Sequence, residues 1–380
     1  MPGPEDVIHD AVERLEWDER KVEETPYKRW RQVTRRTALT GGAAGIGALV
    51  LQACGSSSKS GTATASGSGS SAASSIFGVS GGYKFTFVNH VTTNTFFVPT
   101  QYGIQDACKL LGCSFQWTGS QTSNVSEMVN AINTAVAAGV SGIATTLIDP
   151  TAFNAPVDKA LAAGIPVVAY NADEPSNARL SYTGQDLYLA GQQMGMHIAK
   201  LVPSGQIGMF IATPGSANIQ PRINGALATL KSFPAIKPDV VATGAAIPAE
   251  LTAITSWASG HPSAKGMFAV DAGSTQGVAQ TIQKQGLKGK VKGGGFDLLT
   301  PTIDLLHSGY IQFTIDQQPY LQGFLPTLQL YMYLASNKLS GIADVDTGLK
   351  FLDQTTVTPY VTSQSRYEGS STSPGVTKTS

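Results

Sequence analysis

The chain has 380 residues, 42% of them hydrophobic, enough for one large or two medium domains with real cores. Its 26 basic and 26 acidic residues cancel, so no bulk positive field is available to hold nucleic acid. Three cysteines without a CxxC pair and five scattered histidines exclude a zinc ribbon or a thioredoxin-like centre, and neither a metal nor a cofactor is expected.

Residues 34–54 read TRRTALTGGAAGIGALVLQAC. The glycines 41, 42, 45 and 47 follow a basic run (Lys28, Arg29, Arg31, Arg35, Arg36) with no apolar strand before it, so this is not a phosphate-cradling turn between a strand and a helix. The apolar run 38–53 is shorter than the roughly 20 residues of a spanning helix and is diluted by glycine. A basic segment, a short apolar segment and small residues at a cut site describe an export signal. Thr34 to Leu39 (TRRTAL) resembles a twin-arginine signal, and Leu51 to Cys54 (LQAC) resembles the bacterial lipobox, in which the cysteine becomes the acylated first residue. Residues 1–53 are therefore expected to be removed, with Cys54 anchoring the protein by its acyl chains on the extracytoplasmic face of the cell membrane. The Ser/Gly-rich stretch 54–82 reads as a flexible tether, and 361–380 as a disordered tail.

Between them, short β-rich runs alternate with helix-like segments. Strands are predicted at 83–89, 113–117, 142–148 and 165–171, with helices over 99–111, 125–138 and 152–163. Each of these helices stops at a glycine, at 112, 139 and 164. The alternation then restarts. Strands are predicted at 206–212, 240–246, 266–272, 291–297 and 310–316, and helices at 187–201, 217–231, 274–286, 301–308 and 319–336. Two successive α/β sets imply two lobes, each a doubly wound parallel sheet with helices on both faces. Ligands of open α/β sheets sit beyond the carboxyl ends of the strands, so two lobes with facing strand ends make a cleft.

The residues after the strands suit a hydroxyl-rich ligand. Asn94, Phe96 and Phe97 follow the first strand; Asn171 and Asp173 follow the fourth; Arg222 opens a helix of the second set; Asp271, Asp297 and Gln317 follow later strands. A hydroxyl donates and accepts, which matches amides, carboxylates and guanidinium together. The apolar face of a sugar or polyol can lie on Phe96, Phe97 or Phe296, and Trp117 ends its strand as a cleft candidate. Cys108 and Cys113 lie across a helix end, and the spacing leaves open a disulfide or two thiols.

The ordered set TNTFF, GIPVV, RINGAL, FAVD, GGGFD and TIDQQP resembles the ribose-binding branch of the periplasmic sugar-binding proteins, over roughly residues 83–360. The resemblance implies the two-lobed type I periplasmic-binding-protein fold with three crossing hinge strands. The first lobe would be 83–185 plus 318–345 and the second 186–317 plus 346–360. It also implies ligand contacts from Asn94, Phe96, Phe97, Asn171, Arg222, Asp271, Asp297 and Gln317, and hinge closure around the ligand. Where that branch carries Asp-Arg, this chain carries Asn171-Ala172, so a bidentate donor is missing and ribose itself is not the expected ligand.

The expected function is capture of a monosaccharide or sugar alcohol for an ATP-driven (ABC) permease by a monomeric, non-enzymatic, lipid-anchored receptor. The alternative is a receptor for a sugar-like signal acting with a membrane sensor. A glycosidase needs two carboxylates flanking the bond, and Asp271 with Asp297 fit ligand hydrogen bonding equally well. A sugar-responsive transcription regulator needs a DNA-binding headpiece where the export signal stands.

Overall fold

The computed structural model describes residues 82–340 and 342–362; the signal, lipobox and tether expectations, Cys54 included, and nearly all of the expected tail lie outside the described residues. Within them the chain builds two six-stranded sheets flanked by helices. No helix among the described residues is long and apolar enough to cross a membrane.

The first sheet contains β1 (Lys84–Asn89), β2 (Ser114–Gly119), β3 (Gly142–Thr145), β4 (Val167–Tyr170), β5 (Tyr182–Gly184) and β11 (Val345–Asp346). Its order is β2-β1-β3-β4-β5-β11 and every pairing is parallel. The second contains β6 (Gly205–Ile211), β7 (Ile236–Ala242), β8 (Gly266–Ala269), β9 (Lys292–Phe296), β10 (Phe313–Asp316) and β12 (Lys350–Leu352). Its order, β7-β6-β8-β9-β10-β12, repeats the first, with β12 alone antiparallel. In each sheet the order reverses beside the first strand, and the space past the carboxyl ends there is where such folds bind ligands.

Strand alternation explains the layers, because successive side chains point to opposite faces. Phe85 and Phe87 of β1 enter one apolar cluster with α1 (Val98–Leu111) and α9 (Leu321–Ala335), whereas Val88 joins α2 (Val125–Ala137) and α3 (Asn154–Ala162) on the other face. In the second sheet, Ile207, Met209 and Ile211 pack with α4 (Leu187–Leu201) and α5 (Gln220–Leu230). Phe210, Met267 and Ala269 pack with α6 (Ile247–Gly260), α7 (Ala272–Lys284) and α8 (Thr300–His307). A final short helix, α10 (Thr358–Thr362), follows β12.

The chain passes between the lobes three times: after β5, after β10 and between β11 and β12. These crossings are tied together. Thr347 Oγ1 donates to the Gln317 carbonyl at 2.8 Å, Gln318 Nε2 to the Thr347 carbonyl at 3.1 Å, and Gln185 Nε2 to the Gly348 carbonyl at 3.1 Å.

Several elements differ from expectation. The strand predicted at 240–246 lies at β7, 236–242; as an edge strand it is largely solvated and tolerates Pro238, so its apolar signal is weak. Helix α6 and the short strands β5, β11 and β12 were not expected. Cys108 and Cys113 are free thiols, brought together where Gly112 takes φ 69° and the Cys113 N–H donates to the Cys108 carbonyl at 3.1 Å.

Candidate ligand-binding site

The residues that follow the strands of both sheets converge on one cavity, which holds about 590 Å³ of space, part of it open to solvent. Asn94, Phe96, Phe97 and Asn171 reach it from the first lobe, and Arg222, Asp271 and Asp297 from the second, with Gln317 at a crossing.

The backbone positions these groups in recognisable ways. Asn171 follows β4 and Asp297 follows β9, and both adopt the left-handed conformation, with φ 62° and 76°. Asn and Asp tolerate that region better than other side chains, and such conformers concentrate at functional sites. Asn94 Oδ1 accepts the Phe96 N–H at 2.9 Å, fixing the one-turn helix (Thr95–Phe97) that carries the two phenylalanines. Asp271 caps α7: Oδ1 accepts from the Ser274 N–H and Oδ2 from the Ala212 N–H, both at 2.9 Å.

Arg222 is 2% exposed. Its Nη1 donates to the Val270 carbonyl at 2.9 Å and its Nη2 to Gln185 Oε1 at 3.1 Å, while the guanidinium carbon stands 4.0 Å above the Phe296 ring. Nε has no protein partner among the described residues. Helix α5 is held against α4 by close backbone contact: a Cβ on Gly191 would lie 2.1 Å from the Arg222 carbonyl oxygen. Burial pushes Arg222 below its usual range and Asp297 opposes that shift. Burial likewise raises Asp297 to about 7, against the pull of Arg222 and of Gln317, whose Nε2 donates to Oδ1 at 2.6 Å. Asp271 is raised by burial, against its two backbone N–H bonds and Arg222.

A hydrogen-bonded chain runs along the hinge side of the cavity. Asn171 Nδ2 donates to Gln322 Oε1 at 3.0 Å, Gln322 Nε2 to Gln317 Oε1 at 3.1 Å, and Gln317 Nε2 to Asp297. The lobes also touch directly. The Ala217 N–H donates to the Ile148 carbonyl at 3.0 Å, and Asn218 Nδ2 meets His90 Nε2 at 3.2 Å. His90 Nδ1 pairs with Thr146 Oγ1 at 3.1 Å, and burial holds the ring neutral, its pKa pulled down to about 3.

Three expected residues do not line the cavity. Trp117 packs behind Phe97, ring centroids 6.0 Å apart, and spends its N–H on the Thr92 carbonyl at 3.2 Å. Phe296 is buried beneath Arg222 and supports it from below. Asp173 is taken by Arg179, whose Nε donates to it at 2.7 Å. Conversely, His90, Ser216, Asn218 and Glu250 line the cavity without having been anticipated. His90 is the residue directly after β1, so the strand-end rule that found Asn171 also reaches it. Glu250 lies on the unanticipated α6, where Pro at the second helical position followed by Ala-Glu-Leu was the available signal.

Glu250 is 3% exposed, and its Oε2 has no hydrogen-bond partner among the described residues. Burial, with the charge of Asp271 adding to it, pushes its carboxyl up to about 9. The cavity thus offers amide, guanidinium and carboxyl groups beside two aromatic rings, a set suited to a small ligand dense in hydroxyls.

Comparison with known proteins agrees with this architecture. The xylose/arabinose-binding protein XylF of Sulfolobus acidocaldarius is 53% identical over 306 residues, spanning 76% of this chain and 75% of that protein. Among solved structures, an ABC transporter solute-binding protein from Burkholderia graminis in complex with D-arabinose superposes with TM-score 0.69 at 26% identity, covering 73% of this chain and 97% of that one. A carbohydrate transporter solute-binding protein from Agrobacterium radiobacter, also with D-arabinose, gives TM-score 0.68 at 25% identity over 74% and 97%. Residues 85–338 match the periplasmic binding protein domain family, and the chain belongs to that family.

Proposed function

We propose that this protein is the extracytoplasmic capture component of an ABC sugar importer and that its ligand is a pentose of the xylose and arabinose class. The observation that carries the reading is the convergence of Asn94, Asn171, Arg222, Asp271 and Asp297 from two lobes on one cavity, with the buried Arg222 Nε awaiting an acceptor. The xylose/arabinose-binding relative and the arabinose-bound structures support the choice of ligand. Within the family the strand-end motifs resemble the ribose-binding branch, but Ala172 removes an arginine that branch uses, which favours a different hydroxyl pattern.

The mechanism is a shift between open and closed lobes. Asn171 and Arg222 grip the same ligand only when the lobes approach, so binding favours closure, and the closed form is what a permease recognises. Phe96 and Phe97 take the apolar C–H face. Asp271 and Asp297 accept from hydroxyls, and Arg222 donates. We further assign Cys54 as a lipidated anchor after a twin-arginine leader, on the strength of the LQAC and TRRTAL motifs.

A thermal-shift screen of the purified protein against pentoses, hexoses and pentitols tests the ligand class. At a hundred times its dissociation constant a ligand stabilises by about 2.7 kcal/mol, which shifts melting by several degrees. Xylose or arabinose is expected to give that shift; its absence for every pentose rejects the assignment. Mass spectrometry of the exported protein tests the anchor, which predicts an acylated Cys54 and release from membranes on Cys54→Ala.

A further inference from the structure

The carboxylates of the cavity are not equivalent. Asp271 accepts two backbone N–H groups, and Asp297 accepts the Gln317 amide. Arg222 favours the charged form of both. Glu250 has neither kind of support: its Oε2 is unpartnered among the described residues, and the charged group acting on it is Asp271, of its own sign. The carboxyl points Oε2 at Gly273, where a Cβ would sit 1.7 Å from that oxygen, so the glycine at the start of α7 leaves room for it.

The titratable groups sharing the cavity come from every element around it. They are Asp271 at the cap of α7, Arg222 on α5, Asp297 after β9, and the neutral His90 after β1. The remaining charged side chain of α7, Lys284, is at the far end of that helix. Asp239, on the strand that packs near α6, is engaged by the Trp257 N–H at 2.7 Å. With one guanidinium already shared between two aspartates, a third buried negative charge without a hydrogen bond is costly. A proton on Glu250 removes the charge and creates an O–H donor facing the ligand space.

We propose that Glu250 stands in the cavity as an uncharged carboxylic acid and donates its O–H to an oxygen of the bound sugar, so that sugar binding is linked to one proton. This deepens the pentose reading and rests on it. An ionised carboxylate only accepts, so Asp271 and Asp297 in that form cannot serve a sugar ring oxygen, which also only accepts; a protonated Glu250 can. By linkage, a ligand that needs the protonated form binds up to tenfold more weakly for each pH unit above the point at which free Glu250 loses its proton.

The test is calorimetric titration of D-xylose and L-arabinose into wild type, Glu250→Gln and Glu250→Ala between pH 8 and 10, above the range in which Asp297 titrates. Each titration is run in two buffers of different ionisation enthalpy. Wild type is expected to lose affinity with rising pH and to take up as much as one proton per sugar at the alkaline end. The Gln variant, which keeps a donor but cannot titrate, should bind at least tenfold better than the Ala variant and show neither effect. Gly273→Ala, whose methyl meets first the flexible end of Glu250 and also enters the cavity that Gly273 lines, should weaken binding in a protein that still folds. A pH-independent wild type, or a Gln variant no better than Ala, overturns the proposal. Failure of any pentose to bind wild type instead rejects the ligand class. Thermal denaturation then still decides the protonation state: a neutral Glu250 makes the Gln variant gain on wild type as pH rises, and a constant difference overturns it.

Discussion

Gly191→Ala tests whether the binding arginine is held in place by the packing of α4 against α5. The new Cβ would lie 2.1 Å from the Arg222 carbonyl oxygen and 2.7 Å from its Cα, both backbone atoms that no rotamer change can move. A Cβ on Gly225 would likewise lie 2.2 Å from the Tyr188 carbonyl oxygen, so the α4–α5 interface has no slack on either side. Ordinary contact begins at 3.4 Å, and the helices must therefore part by more than an ångström. Overpacking of this kind costs about 1–3 kcal/mol, equivalent to a melting point roughly 2–10 °C lower. Arg222 rides on α5, and its bonds to Val270 and Gln185 stretch with it. Loss of one charge-assisted bond to sugar, about 1.5–3 kcal/mol, then weakens pentose binding roughly tenfold or more. Differential scanning fluorimetry and titration calorimetry read the two effects. A variant that melts within a degree of wild type and binds with unchanged affinity refutes the reasoning.

Other substitutions probe the cavity itself. Asp297 is held up at about 7 by burial, so its ionisation costs stability as pH rises from about 4 towards 7. Asp297→Asn should make the sugar-free protein more stable than wild type above pH 7, by at most about 4 kcal/mol, with the gain gone near pH 4 and pentose binding weakened throughout. His90 has the opposite sign: its pKa lies at about 3 in the fold, so the unfolded chain binds the extra proton and stability falls as pH drops from 6.5 towards 3. Denaturant midpoints for His90→Gln should show a flatter acid limb. Thr146→Val strips the buried partner from His90 Nδ1 and should cost about 1 kcal/mol in urea unfolding. Gln185→Ala frees Arg222 Nη2 at the hinge and should lower pentose affinity a few-fold without changing the fold measured by circular dichroism.

The sheets were legible because their central strands are apolar runs closed by a polar residue, as at Tyr170-Asn171 and Phe296-Asp297. The same pattern marks where the cleft must lie. It does not say which side of a strand end a ring faces: Phe296 underlies Arg222, and Trp117 backs Phe97. The pairing of Asp173 with Arg179 crosses a turn that has no periodic signature, so the sequence does not show it. Strands β5, β11 and β12 are two or three residues long and exist through pairing alone. Helix α6 carries Ile247, Leu251, Ile254 and Trp257 at helical spacing, so the stretch that holds Glu250 is legible as a helix in the sequence.

The threading of the chain has a consequence for how the protein is made. Both sheets receive their last strand from residues 345–352, so neither lobe is a continuous segment that can be cut out intact. During synthesis each half waits with an open border until nearly the whole described chain has emerged, and the same brief stretch then seals the two together. A truncation before residue 345 would injure both halves, and expressing either one alone requires splicing distant pieces of sequence.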